Sequence, residues 1–365
     1  VRPRLRGLSA AGPARRRLPA RGRAAAGALL LLALGPGPAS AQPDVSWRMQ
    51  SAFPSSLEIL GESGARYVES LRGMSGTGLD LRFYEPGALV PPGELLSAVA
   101  AGSVDAGWTV PAAQAGRIPA AALFGGAPFG PRAAELLAWL RHGGGDPLRD
   151  ELYARHGVKG ITCFVIPPEG GGWFRRELRG ADELRGLRIR VSGLGARVLQ
   201  KLGVSVQLLA AGQVHGAVQR GVLDGVEGSF PSVDLRLGLH QVAKHYYVPG
   251  WHSQAAVGEL LVGRDRYAAL PLPYRRMIET ACEASIAWSL AAGEARQAGA
   301  LRALGEQHGV SIREWPPEVL ARLRQAWDDV AREEAGRDAD WKRVWDSYAA
   351  FRARYRSWGE HGHLR

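Results

Sequence analysis

The strongest constraint on the fold is a turn that the chain makes twice. Residues 98–108 read AVAAGSVDAGW and residues 217–228 read AVQRGVLDGVEG, so the frame A-V-x-x-G-x-x-D returns 119 positions later. In each copy an apolar helical face ends in a glycine, which adopts the left-handed conformation at little cost. An aspartate then opens the strand that follows. Helix, glycine and short strand also form the ordinary connection of any α/β fold, so the repeat has two readings: a generic turn, or two lobes of like build. Only the second copy is followed by a carboxylate, Glu227.

The patterns around each copy agree with α/β lobes. VSWRMQS alternates in the manner of a strand, and Ser55 or Ser56 is predicted to cap a helix that closes near Gly73 or Gly76. LDLRFYE reads as a strand, Pro91-Pro92 as a helix start, and SVDAGW as a third strand. The same order resumes with GLRIRVSG, a helix over 196–203, VSVQLLA, a helix over 213–219 and VLDGVEG. This alternation predicts largely parallel sheets. Two like lobes with a cleft between them are a common way to enclose a small ligand.

A proline-free helical pattern runs from Pro273 to His308, about 50 Å at 1.5 Å per residue, long enough to cross both lobes. PPEVLARLRQAWDDVAREEAG is a further helix that begins with proline. The last pattern differs in kind. Trp341, Val344, Tyr348, Phe351, Tyr355 and Trp358 keep a/d spacing, with Trp345 alongside. So narrow a stripe suits a helix seam. It either docks on its own lobe or pairs with a second copy through 341–358, and both readings stand open here.

The net charge of +11 would point to nucleic acid or an anionic membrane, but eight arginines and no acid lie in residues 1–41, which leaves +3 for the rest. Arg15–Arg23, the run AAAGALLLLALG and Ala39-Ser40-Ala41 form a charged region, an apolar region and a cleavage signal in that order. Residues 1–41 are therefore read as a signal peptide for Sec or twin-arginine export, and nucleic acid is not expected as a partner. The apolar run falls short of the roughly 20 residues that span a bilayer. An oxidising compartment would permit one bridge between the two cysteines, but Cys163 in ITCFVI and Cys282 in a helical run are read as two separately buried thiols. No nucleophile sits beside a base and no Cys/His cluster has metal-ligand spacing, so the residues offer no sign of catalytic machinery.

AGSVDAGW, GGAPFG, WLRHGGGDPLRDELYARHGV, GGGWFRRELRGADELRGLRIRVSGLGARVLQKLGV, AVQRGVLDGVEGSFPSVDLRLGLHQVAKHYYVPGWH and DRYAALP occur in this order. Together they resemble the DctP-type solute-binding proteins of tripartite ATP-independent periplasmic (TRAP) transporters, in the branch that binds 2-oxo and 2-hydroxy carboxylates. The resemblance covers nearly the whole chain after residue 41. It implies a periplasmic α/β receptor of two lobes sharing strands and a long helix, delivering an organic acid to TRAP membrane permease subunits. The expected division is 42–165 with 254–290 for lobe I, 166–253 with 291–340 for lobe II, and a C-terminal helix over 341–365. An exported receptor that presents its ligand to a membrane sensor is the alternative.

The arginine that pairs with the substrate carboxylate in the family matches Arg190, in R-I-R-V-S-G, with Arg188 as the neighbouring candidate. A guanidinium suits this task because its planar fork makes two parallel charge-assisted hydrogen bonds. The family's cation-binding glutamate matches Glu227. The residue after it, usually tryptophan, is Gly228, and the acid after Trp251-His252 is Ser253. The family's glutamine before G-G-W-F matches Glu169. The resemblance thus implies substrate contacts from Arg190, Glu169, Glu227, Trp251, Trp173 and Trp108. It implies a Ca²⁺ or Na⁺ ion near Glu227, Gly228, Glu169 and Ser253, since hard cations take oxygen ligands. Ala112, Ala113 and Gln114 stand where the branch carries bulkier rings, which opens room for an acid larger than pyruvate or lactate.

Overall fold

The computed structural model describes residues 45–362 apart from 77, 208 and 210. The predicted signal peptide lies outside the described residues. The chain begins with β1 (Val45–Ser51), α1 (Leu60–Ser75), β2 (Leu79–Tyr84), α2 (Leu95–Ala101) and β3 (Ala106–Thr109). Three helices, α3 (Ala121–Gly125), α4 (Ala133–His142) and α5 (Gly145–Ala154), lead to β4 (Val158–Ile166). The second alternation is β5 (Gly172–Phe174), β6 (Arg188–Arg190), α6 (Gly193–Lys201), β7 (Ser205–Gln207), α7 (Ala211–Gln219), β8 (Gly225–Val226), α8 (Pro231–Arg236) and β9 (His245–Val248). β10 (Ala256–Gly263), α9 (Arg264–Ala269), α10 (Leu272–Glu306), β11 (Ser311–Glu314), α11 (Pro317–Arg337) and α12 (Ala339–His361) complete it.

The strands form two sheets, β2-β1-β3-β10-β4 and β11-β9-β5-β8-β6-β7. In the first, β1 runs parallel to β2 and β3, while β10 is antiparallel to both β3 and β4. In the second, β6 is parallel to β7 and β8, and β5 is antiparallel to β8 and β9. The parallel pairs are those joined through helices, as crossover geometry requires. α10 packs on α1 and β4 beside the first sheet and on α8 and β11 beside the second.

The duplicated frame is a structural clamp. Gly102 and Gly221 close α2 and α7 at φ 75° and 74°. Asp105 then accepts hydrogen bonds from the backbone N and the Nε of Arg48 at 2.8 and 3.1 Å. Asp224 does the same for Arg188, at 2.9 Å for both. The guanidinium also donates to the carbonyl of Ser103 in one half and of Gly221 in the other, at 2.8 Å each. Each clamp ties the strand after the turn to its parallel neighbour, and the register is the same: Gln50 faces Gly107 as Arg190 faces Val226.

Two expectations change, and one of two open readings gains support. Cys163 and Cys282 are joined in a disulfide. The two local patterns are separately apolar, but α10 lies over β4 and brings the thiols together in the core. Closing a loop of this length stabilises by on the order of 5 kcal/mol in the chain-entropy model. The first helix starts at Leu60, capped by Glu62, whose carboxylate accepts from Ile59 N at 3.3 Å. Ser55 instead donates to Glu85. Finally, α12 docks by its first half: Trp341, Val344 and Tyr348 are buried, with Tyr348 edge-on to Trp139 at 5.0 Å. Phe351 and Tyr355 are half-buried and Trp358 is exposed.

Candidate functional site

β6 ends at Arg190 and α6 opens three residues later, at the edge of parallel strands where α/β folds place ligands. Backbone pairing brings β8 alongside, and Glu227 N donates to Arg190 O at 2.8 Å. The Glu227 carboxylate turns back onto the start of α6. Its Oε2 accepts from Ser192 N at 3.1 Å and Ser192 Oγ at 3.2 Å, where exposed helix amides favour negative charge. Arg190 Nη1 stands 3.9 Å from the same oxygen.

The second carboxylate arrives from the other chain crossing. Beyond β4, Glu169 N donates to Ser253 O at 3.1 Å, and Glu169 O accepts from Gly250 N at 2.8 Å. These bonds hold residue 169 beside the segment Gly250–Ser253. His252 Nε2 lies between the two acids, 3.1 Å from Glu169 Oε2 and 3.5 Å from Glu227 Oε1. Burial raises the Glu227 pKa, the His252 charge opposes that, and the neighbouring Glu169 adds to it. For His252 burial opposes the charged form, but the hydrogen bond it donates to Glu169 and the charge of Glu227 outweigh it, and its pKa is raised.

A cavity of about 450 Å³ opens over this group. Glu169, Ser192, Glu227, His252 and Ser253 supply polar atoms to it, and Arg197, paired with Glu334 at 2.6 Å, lines it too. Small residues form much of the remaining wall, among them Ala112, Ala115, Gly125 and Gly126. Of the three positions expected to widen the pocket, Ala112 lines the cavity, Ala113 is not part of its lining and Gln114 is buried.

Of the expected contacts, Glu169 and Glu227 line the cavity and Arg190 lies against Glu227. Arg188 is committed to Asp224. Trp251 is buried behind His252, edge-on to its ring at 5.6 Å. Trp108 and Trp173 sit elsewhere than expected, inside the two cores. Trp108 stacks on Phe164 at 4.9 Å and donates to Leu60 O. Trp173 stacks on Tyr246 at 4.2 Å and donates to Asp234. Rings this large gain more from burial in a sheet's core than from a wet cleft. His252 and Ser192 carry more of the site than the sequence indicated. A buried histidine beside two separated acids has no local signature.

The oxygen donors suit a hard cation in kind: two carboxylates, with Ser253 Oγ buried and without a partner. Among the described residues, however, no group of three His, Cys, Asp or Glu side chains is gathered at metal-binding geometry.

Residues 51–337 match the family model DctP, bacterial extracellular solute-binding protein, family 7. The chain belongs to this family. It is 32% identical over 318 residues to the monocarboxylate 2-oxoacid-binding periplasmic protein of Nostoc sp., covering 87% of this chain and 86% of that one. A TRAP transporter solute-binding protein from Bordetella bronchiseptica, crystallised as a dimer with calcium and picolinate, superposes with a TM-score of 0.82 at 30% identity. That match covers 87% of this chain and 94% of the other. A TRAP protein from Pseudoalteromonas atlantica with bound sodium and pyruvate matches at 0.80 and 26% identity, covering 86% and 96%. The chain is thus an extracellular solute-binding protein of family 7; the Bordetella relative holds picolinate with calcium, and the Pseudoalteromonas relative pyruvate with sodium.

Proposed function

We propose that this receptor captures a 2-oxo or 2-hydroxy monocarboxylate in the periplasm, with Arg190 as the anchor of its carboxylate, and hands it to a TRAP permease. The observation that supports this is the asymmetry of the β6 arginines: Asp224 holds Arg188 in the strand clamp, while Arg190 has no such clamp and its Nη1 stands 3.9 Å from Glu227, a residue that lines the cavity. The division into lobes at 42–165 with 254–290 and 166–253 with 291–340 follows the two sheets, and the acid closes them on itself. Residues 1–41 serve as the export signal. N-terminal sequencing of protein recovered from the periplasm tests the cleavage.

An incoming acid adds a negative charge to a buried site where Glu169 and Glu227 already face Arg190 and His252. Unpaired buried charge is costly, so a cation entering with the acid offsets it. Glu227 and Glu169, with the hydroxyl of Ser253 and the carbonyl of Gly228, would hold that ion. Since the protein supplies an incomplete set of ligands, the acid's own oxygens complete it, which links affinity for the two. Calorimetry in chelated, sodium-free buffer tests this: acid affinity falls at least tenfold and recovers with calcium or sodium. Undiminished affinity sinks the idea.

For the acid itself, a thermal-shift panel of mono- and dicarboxylates is decisive. The right ligand at a hundredfold excess over Kd stabilises by about 2.7 kcal/mol. A panel without any shift overturns carboxylate capture.

A second reading concerns assembly. The aromatic stripe of α12 continues through Phe351, Tyr355 and Trp358 beyond its docked half, and the Bordetella relative is a dimer. A second copy packing on that stripe accounts for it. Tyr355→Arg with Trp358→Arg should halve the solution mass measured by light scattering, and a wild type that is already monomeric ends the proposal.

A further inference from the structure

Behind the site lies a buried acid that touches neither the cavity nor a cation partner. Asp234, on α8, has no exposed surface. Its Oδ1 accepts from Ser229 N at 2.6 Å and its Oδ2 from Trp173 Nε1 at 2.8 Å. Each bond reaches a different segment that carries a site carboxylate. Ser229 follows Glu227 and Gly228, and Trp173 follows Glu169. The same two segments are also joined directly, by Gly170 N donating to Ser229 O at 2.8 Å and by Trp173 facing Val226 in the β5–β8 pair.

Position 228 completes the arrangement. A Cβ added to Gly228 would collide with Asp234 Oδ2 and lie 2.7 Å from its Cγ. Rotating the carboxylate away would break both of its hydrogen bonds inside the core, leaving buried donors unsatisfied. Glycine at 228 is therefore the counterpart of aspartate at 234.

We propose that Asp234 is a positioning residue for ligand capture: it draws the Glu227–Gly228–Ser229 strap against the Glu169–Trp173 segment and so sets the separation of the two carboxylates that flank His252. This rests on the receptor reading above and names the element that shapes its site. It also accounts for why a bulky residue at 228 is absent from this chain.

The test is a double-mutant cycle read by ligand affinity and by a resonance that needs no ligand. Gly228→Ala, Asp234→Ala and the double variant are compared with wild type for binding of pyruvate and longer 2-oxo acids. Gly228→Ala should weaken binding at least tenfold in the wild-type background and less than twofold in the Asp234→Ala background, because the collision is gone. Asp234→Asn, which keeps the shape and one acceptor, should recover affinity to within about tenfold of wild type. Asp234→Ala that lowers Tm but leaves affinity unchanged, or effects that simply add, overturns the positioning role. Should Asp234→Ala fail to fold, Gly228→Ala alone and with Asp234→Asn decides: an unchanged affinity in Gly228→Ala overturns it. In the ligand-free protein, the Trp173 indole N–H resonance should move in both Gly228→Ala and Asp234→Asn, and a fixed resonance in either refutes the coupling. If wild type binds no acid in the panel, the receptor reading fails, and the Trp173 resonance still tests the Gly228–Asp234 pair.

Discussion

The two halves make the same turn with the same clamp and then use the next positions differently. Three residues beyond the aspartate, the first half has Trp108, wholly buried and stacked on Phe164, and the second has Glu227, facing the cleft. Two residues beyond the clamped arginine, the first half has Gln50 and the second Arg190. Gln50 is buried and spends its amide on the loop at Leu89 and Val90, with bonds of 2.7 to 2.9 Å. Arg190 reaches toward Glu227. A duplicated frame therefore fixes where side chains emerge from the sheet. Whether they meet protein or open space decides whether they become core or site.

The sharpest way to break this comparison is at the third position. Trp108→Ala should cost about 3–5 kcal/mol in a denaturant melt, as large aromatic deletions do, with affinity for the acid within twofold of wild type. Glu227→Ala should do the reverse, cutting affinity in calorimetry while leaving Tm nearly unchanged. A Trp108 variant that loses affinity at full stability would place that ring in the site after all.

Each half also buries one carboxylate whose pKa burial pushes up to about 7. In the second half it is Asp234, where hydrogen bonds from Trp173 and Ser229 oppose the shift. In the first half it is Glu259, where Arg149 and the Tyr153 hydroxyl oppose it and Asp150 and Asp146 add to it. A carboxyl raised from 4.5 in the unfolded chain to about 7 in the folded one contributes stability that is complete below pH 4.5 and lost as pH rises through about 7. Glu259→Gln should flatten this fall, which is on the order of 3 kcal/mol, in melts taken from pH 4 to 8. A wild type and variant with parallel profiles would show that Glu259 is ionised in the fold.

At the second position, Arg190→Ala should reduce affinity about a hundredfold, in keeping with the loss of a charge-assisted pair, without loss of stability. Gln50→Ala should leave affinity alone and lower stability by about 1–3 kcal/mol, because Leu89 N and Val90 N lose their acceptor. The smallest difference lies in the clamps themselves. Asp105 is nearly buried and also pairs with Arg266, whereas Asp224 is a quarter exposed. Asp105→Ala should cost about 2 kcal/mol and Asp224→Ala about 1. The Asp224 contribution should fade in acid, since its hydrogen bonds from Arg188 hold its pKa below the usual range. Equal costs for the two would mean that Arg266 adds nothing.

Much of this was legible in residue patterns. Alternation of apolar periods located most strands and helices, and the two copies of the turn implied paired lobes. The motifs around Arg190, Glu227 and Trp251-His252 pointed to segments that the fold brings together beside one cavity. What escaped was whatever depends on distant segments meeting. Cys163 and Cys282 look like separate core thiols until α10 lies on β4. Trp108 and Glu227 occupy equivalent places in the frame, and only the stacking of Phe164 against one and the cleft beside the other separates their roles. Asp234 reads as one polar residue in a short helix, yet it ties two site segments together.

The sequence by itself determined the elements, their order and the identity of the charges, because periodicity, turn chemistry and residue type act over a few neighbours. The tertiary structure alone decided which charges face each other. Glu169, Glu227 and His252 come from three separated segments, and their separations of 3.1 and 3.5 Å exist only because β4 and the segment before β10 bring them back to the start of α6. Burial at that meeting point weakens solvent screening, and this turns three ordinary side chains into one coupled site.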